Sequence, residues 1–595
     1  MLRTAPAFAS LGLLLLVAGC SASTTAPAQC PPQASATAPT TPAPPSVSAA
    51  ADTLSDADLG IEVTPVFEPP SFLVRQHVSA RVDSKRFSIQ QLPPNDLLSI
   101  ERIFPDGHRE PLSAVPTGNG LSVSLPAKQS ITLEYRVKAA DFSPDAVELN
   151  AVNPNSVRAS AERLLLLPDE HSDAQLSVSL RIHSDNLSVP QGAASSLGVG
   201  EVRSRTLSAR SLRQISLVAG PLGSARFAGP EGQDETAWVG YTSFDPRLVS
   251  AQNAVFRSAI REYFGDLRST PLTVLILSDG RPVGDYEVAR RSWSVLVHVA
   301  AGQPWDGTLS LAVSQAIVRE WLGGRLWLGP SEDATGQLWF NAGFARYVAR
   351  EVAFRMGQLE PDEYAAEVES LTAIVRSAPE RKLDNAALAK AARAGKPGAI
   401  ALSIARGALW ASDLDAKLRA LPRTGAKAAE TPPLLAQILR ETYRAAVGDD
   451  RTPGKPQRVE DLLSRLEAQL PDVRQRFDKW IIKGEPGDLA AQALGPCFRQ
   501  VPRSFPLFAL GFELDDARAI VGLDAKGPAA KAGLQVGDRI TELHYAAGNA
   551  RLPVRLRYQR GDDPPKTLSY LPQQGSVKGR GWDVIPSIPR ERCVR

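Results

Sequence analysis

The chain has 595 residues, enough for several domains that each bury a core of their own. Its 67 Lys and Arg nearly cancel its 64 Asp and Glu, and a net charge of +3 over this length gives no field that would gather phosphates, so nucleic-acid binding is not expected. The four cysteines, Cys20, Cys30, Cys497 and Cys593, form no C-x-x-C pair, which argues against a metal knuckle or a thioredoxin-like redox site.

In chain order, residues 1–19 read as a targeting segment, with Arg3 ahead of an apolar run over 11–17 that is too short to cross a bilayer as a helix. The run Leu16-Val17-Ala18-Gly19-Cys20 resembles the lipobox of bacterial lipoproteins. That resemblance implies cleavage before Cys20 and a lipid on its sulfur. With Ser21 next, it also implies forwarding to the outer membrane, so the mature chain is expected in the bacterial cell envelope, lipid-anchored and facing the periplasm. Residues 20–55 are rich in Ala, Ser, Thr and Pro and uncharged through Ala51, a composition that cannot bury a core and reads as a disordered tether.

From 56 to 222 the pattern has period two. Ile131, Leu133, Tyr135 and Val137 alternate with polar residues, as do Leu176, Val178, Leu180 and Ile182, which predicts an antiparallel β-sandwich. Between 240 and 490 the texture becomes mixed α/β, with an amphipathic helix over 254–264 and strands over 272–277 and 293–299. A long helix follows from Thr308, then a helical bundle that includes 459–470 and 473–482. Short strands and glycine turns return over 500–593. The expected fold class is multidomain α+β.

The helix expected after Thr308 carries Ser314-Gln315-Ala316-Ile317-Val318-Arg319-Glu320-Trp321-Leu322-Gly323-Gly324-Arg325-Leu326, followed downstream by Leu338-Trp339-Phe340-Asn341-Ala342-Gly343-Phe344. Together they resemble the zinc helices of the gluzincin metallopeptidases, particularly the glycyl aminopeptidase family, whose pattern is His-Glu-x-x-His-x-Trp and then Leu-Trp-Phe-x-Glu-Gly-Phe. The resemblance implies zinc held by two histidines and a glutamate, with a second glutamate as general base. Gln315, Ala316, Arg319 and Ala342 stand at those positions. Arginine keeps its proton and has no lone pair for a metal, and alanine accepts no proton. A further segment, Ile404-Ala405-Arg406-Gly407, resembles the family's Tyr-x-Lys-Gly, and Ile404 lacks the hydroxyl that would stabilise an oxyanion. His298 is the one histidine of this region and reads as a core or cleft residue with a backbone partner. Glu320, Glu332 and Asp333 are the conceivable substitute carboxylates. Arg319 can pair a carboxylate in the remaining groove, form an internal salt bridge, or point to solvent. Trp321, Trp339 and Phe340 read as core.

Residues 507–523 followed by Gly527-Pro528-Ala529-Ala530-Lys531-Ala532-Gly533-Leu534-Gln535-Val536-Gly537-Asp538-Arg539-Ile540 resemble a bacterial PDZ domain. The glycines suit tight turns, and Leu534, Val536 and Ile540 are expected in a small core. Leu510, Gly511 and Phe512 match the loop that captures a peptide carboxylate, while the adjoining strand pairs with the peptide. Cys497 and Cys593 flank this module, and a disulfide between them would clamp its ends in an oxidising compartment.

The resemblance covers most of the mature chain. It implies a catalytically inactive relative of the peptidases that binds peptides or unfolded proteins, protein C-termini among them, through the PDZ module and the vestigial cleft. Zinc is expected of the family, but its ligands are absent, so no metal or cofactor is expected here. Two alternatives remain: an active aminopeptidase with a rebuilt metal site, and a structural scaffold of the envelope.

Overall fold

The structure, a computed structural model, describes residues 56–593 apart from 119, 141–149, 170–172, 189–191, 230–231, 267–269, 330–334, 422–433 and 448–454. The lipobox Cys20, the tether, Glu332 and Asp333 lie outside the described residues.

The N-terminal region builds three sheets of seven, five and four strands around one core. Alternation dictates that core: Ile131, Leu133, Tyr135 and Val137 all point inward from one strand. One pairing corrects the expectation of a wholly antiparallel sandwich. Leu59–Phe67 lies antiparallel to Pro70–Val78 but parallel to Gln175–Ile182, and the Asp58 carboxylate pins the register by accepting the Ser177 N–H at 2.8 Å. Parallel neighbours need a long crossover, and alternation within a strand carries no information on direction.

The next sheet has the order Leu222–Gly229, Gly232–Val239, Thr273–Asp279, Ser294–Ala300, Tyr286–Arg291. The α/β unit therefore starts at Leu222 and not at 240; the hairpin over 222–239 belongs to it. The three central strands run parallel and Tyr286–Arg291 closes one edge in antiparallel fashion. Both faces are covered. Val274, Ile276, Val295, Val297 and Val299 pack under the helices, whereas Leu275, Leu277 and Leu296 pack on Ala194, Val199 and Val218 of the N-terminal region. Double coverage explains why these strands read as unbroken apolar runs.

Helix Pro246–Phe264 starts earlier than expected because Asp245 caps it, with proline in its first turn, and it ends at Gly265 at φ 64°. Helix Gly307–Val318 is capped by Asp306, whose carboxylate accepts the Leu309 N–H at 2.9 Å. It stops eight residues short of the expected 326, because Gly323 at φ 84° turns the chain and the Arg325 and Leu326 N–H groups fold back onto the Glu320 and Trp321 carbonyls. Helix Pro397–Ala420 is the centre of the bundle, buried on all sides from Ala405 to Ala416. It lies directly on the π-helical turn Trp339–Phe344: a Cβ on Gly407 would stand 1.7 Å from the Trp339 carbonyl oxygen.

In the C-terminal module Phe512, Ile520, Ala529, Leu534, Ile540, Val554 and Leu556 form a small separate core. Gly533 and Gly537 hold φ 100° and 91° in its turns. Val536 was expected inside but is 64% exposed, since the turn at Gly537 rotates it out of the core that takes Leu534. A long pair, Phe498–Phe508 with Gln573–Val584, docks the module on helix Pro361–Ser377.

That docking centres on Glu369, which accepts from Arg503 at 3.1 Å, from Arg551 at 2.8 Å and from the Trp582 N–H at 3.0 Å. Burial pushes its carboxyl up, but Arg551, Trp582 and Arg503 outweigh this and hold it below the usual range. Its contribution is therefore complete above the ordinary carboxylate range and fades as pH falls through that lowered value. Glu369→Gln is expected to cost about 1–3 kcal/mol at neutral pH and to weaken the acid sensitivity of unfolding. Urea melts at neutral and acid pH would contradict this by giving two identical stability differences.

Candidate functional site

The site follows from two periodicities. Along helix Gly307–Val318 and the residue that follows it, Thr308, Ala312, Gln315 and Arg319 are the residues not fully buried. Spacings of four, three and four put them on one stripe, the open face of the helix. Along Tyr286–Arg291 the faces alternate: Tyr286 and Val288 pack against the helical core, Ala289 against the N-terminal side. Arg290 therefore shares the helix side, while Arg291 lies opposite, lining a polar cavity of about 120 Å³ with Arg158, Glu162, Arg163 and His298. Because the helix packs against this strand, its half-buried stripe and the helix side of the strand lie next to each other and bound the candidate groove.

The peptidase-like positions are not equally open. Gln315 and Arg319 are half-buried and face the groove; Ala316 is buried on the flank of the helix. Ala342 is 2% exposed within the π-turn. Half-buried Ile404 adjoins that turn, its carbonyl oxygen lying 2.7 Å from where a Gly343 Cβ would stand. Gln315 keeps only an amide, Ala316 and Ala342 offer no donor, and Arg319 brings positive charge. Among the described residues no three His, Cys, Asp or Glu side chains converge as a metal would require. This donor set does not fit zinc.

Glu320 is not a substitute ligand. It is 6% exposed and held by Arg257 at 3.1 Å and Arg325 at 3.4 Å. The network continues to Asp266, whose carboxylate accepts from Arg325 and the Trp321 indole, both at 2.9 Å, and from the Tyr443 hydroxyl at 2.7 Å. Glu320 and Asp266 are thus both committed to fixing this turn. Trp321, Trp339 and Phe340 are core, with Trp339 meeting the rings of Phe340, Phe344, Trp410 and Phe477. His298 is buried, and the expected backbone partner is absent: neither ring nitrogen has a hydrogen-bond partner among the described residues, and Nδ1 stands 3.6 Å from the Asp279 carboxylate. Burial lowers the His298 pKa.

Arg319 makes no salt bridge among the described residues, and its Nε is buried without a hydrogen-bond partner. Of the three fates open to it in the sequence, the internal ion pair is not formed among the described residues, and the half-buried side chain is not turned fully to solvent. Burial pushes its guanidinium down. Arg290, which sequence reading missed, is pushed down to about 10 by burial, with Glu320 opposing and Arg319 and Arg325 adding to the shift. Both stay charged at neutral pH. The one available signal for Arg290 was its place in the alternation Tyr286, Val288, Arg290.

In the C-terminal module the Leu510 carbonyl accepts the Tyr570 hydroxyl at 2.7 Å, Gly511 holds φ 85°, and Phe512 pairs with Leu523. Strand Phe512–Leu514 leaves its other edge unpaired among the described residues. The longest helix between 500 and 593 is Pro528–Lys531, so no long helix walls a side-chain pocket beside that edge. Cys497 and Cys593 are joined, with Cα atoms 5.2 Å apart. Among the described residues no hydrogen bond or ion pair brings 510–512 to the groove. The module reaches the groove strand through its preceding turn, where Arg555 donates to the Val283 carbonyl at 2.6 Å and His544 Nδ1 stands 3.2 Å from Asp285.

Neither a family model nor a curated protein matches the chain. Among solved structures it is similar to an aminopeptidase N family protein from Idiomarina loihiensis, with 14% identity over 88% of this chain and 98% of that one and a TM-score of 0.61. It is also similar to the M1 zinc metallopeptidase of Deinococcus radiodurans, at 17% identity, 73% and 94% coverage and a TM-score of 0.45. A third is leukotriene A4 hydrolase from Saccharomyces cerevisiae, at 13%, 75% and 71%, and 0.45. The first of these establishes the fold: the chain has the multidomain α+β architecture of aminopeptidase N family proteins.

Proposed function

We propose that this chain is a catalytically inactive, metallopeptidase-like lipoprotein of the bacterial cell envelope that binds peptides or unfolded proteins. One observation carries this reading: the open stripe of helix Gly307–Val318 offers Gln315 and Arg319, beside Arg290, where a zinc peptidase needs metal donors and a base. A groove with a strand edge on one side suits an extended peptide, whose backbone adds to the edge. The free edge of Phe512–Leu514 would serve the same purpose in the PDZ-like module, through backbone pairing more than through a pocket. Cys20 would carry the lipid that tethers the body, and neither zinc nor another cofactor takes part.

The test uses the full-length protein against peptide-amide substrates, with zinc added, and against a fluorescent set of extended peptides. Binding without turnover supports the reading. Turnover abolished by a chelator would replace it with a rebuilt metallopeptidase, and loss of both binding and turnover would leave a scaffold.

A further inference from the structure

Resting on that peptide-binding reading, we infer that the groove selects its ligand by charge: Arg290 and Arg319 together take a carboxylate of an extended peptide lying along Tyr286–Arg291. The place of the fold's metal has become an anion site.

Alternation on the strand and the stripe on the helix bring the two guanidinium groups to one groove from two elements. The neighbouring acids are spent elsewhere. Glu320 is held by Arg257 and Arg325, Asp266 by Arg325, Trp321 and Tyr443, Glu367 by Arg346, and Asp306 caps the helix. Neither Arg290 nor Arg319 has a carboxylate partner among the described residues. A buried guanidinium nitrogen without an acceptor, such as Arg319 Nε, costs stability unless a ligand supplies one. Carboxylates satisfy arginine forks through paired, charge-assisted hydrogen bonds. The peptide follows from the strand: Tyr286–Arg291 is last in its sheet, so its outer backbone groups can pair with another extended chain.

The carboxylate could be a C-terminus or an Asp or Glu side chain, and three labelled peptides of one apolar sequence separate these. The first has a free C-terminus and no acids, the second an amidated end with a central Asp-Glu, the third an amidated end with Asn-Gln. Anisotropy titrations of the full-length protein at low salt are expected to show the first or the second binding at least about tenfold tighter than the third. Arg290→Gln combined with Arg319→Gln should remove that preference and keep the weak binding of the third peptide. The same change should leave the free protein folded with a melting temperature about 2–4 °C higher, because it removes buried charge with no partner. Equal binding of all three peptides, or a preference that survives the double substitution, overturns the inference and leaves peptide binding standing. If no peptide binds, both fall.

Discussion

Full-length protein exposed to excess zinc and then desalted is expected to retain far less than one zinc per chain, whereas the combined variant Gln315→His, Ala316→Glu, Arg319→His, Ala342→Glu should approach one. The reasoning is residue by residue. Gln315 and Arg319 already face the groove from one helical stripe, so imidazoles there would converge on a common point. Arg319→His matters twice, removing a charge that repels the ion and adding a ligand. Ala342 is the demanding position. It is 2% exposed in a turn packed on Gly407, so the new glutamate has to extend out of the core toward the metal. A gain of at least about four orders of magnitude in zinc affinity is expected for the complete set, and little for Ala342→Glu alone. Mass spectrometry of metal content settles the matter. Stoichiometric zinc in the unaltered protein would mean that ligands outside the described residues, Glu332 and Asp333 first among them, rebuild the site.

How far the sequence went depended on the range of the information. The shared face of Gln315 and Arg319 was readable because helix spacing is local: the two had to lie on one stripe whatever surrounded them. Gly323 and Gly324 signalled an end before 326, but the resemblance to a zinc helix carried the expected helix past them. Arg290 was hidden for a different reason. Nothing in Tyr286–Arg291 says which strand it pairs with or which helix covers it, and only the sheet order puts it across from Arg319. The parallel contact of Leu59–Phe67 with Gln175–Ile182 was equally invisible. The hairpin over 222–239 fell between the two expected regions because its strands carry polar and small residues among the apolar ones. Glu320 shows the opposite limit: a carboxylate beside the lost ligands looks available until the arginines around it are located.

Removing the disulfide through Cys497→Ala with Cys593→Ala should have the largest effect on stability of any small change to the C-terminal module. The cysteines are 96 residues apart in sequence, and closing a loop of that length is worth about 4–5 kcal/mol in the chain-entropy model. The bridge does more than join the ends of the module. Cys497 and Cys593 belong to the large helical core, with Phe498 and Trp582, and not to the small core around Ile540. Arg590, just before Cys593, donates to the Glu360 carboxylate and the Leu359 carbonyl, both at 2.8 Å, at the start of helix Pro361–Ser377. The bridge thus fixes both ends of the module to the peptidase-like body, alongside the Glu369 cluster. Without it the module is expected to unfold in a separate transition roughly 15 °C or more below the rest. Calorimetry of the oxidised, reduced and doubly substituted proteins tests this. The groove should feel the loss, because Arg555 and His544 of the module hold the turn that leads into Tyr286–Arg291. Heating through the lower transition should therefore weaken peptide binding at Arg290 and Arg319 before the helical core melts. Identical melts in all three proteins, or two free thiols in protein isolated from cells, would show that the bridge does not hold the module.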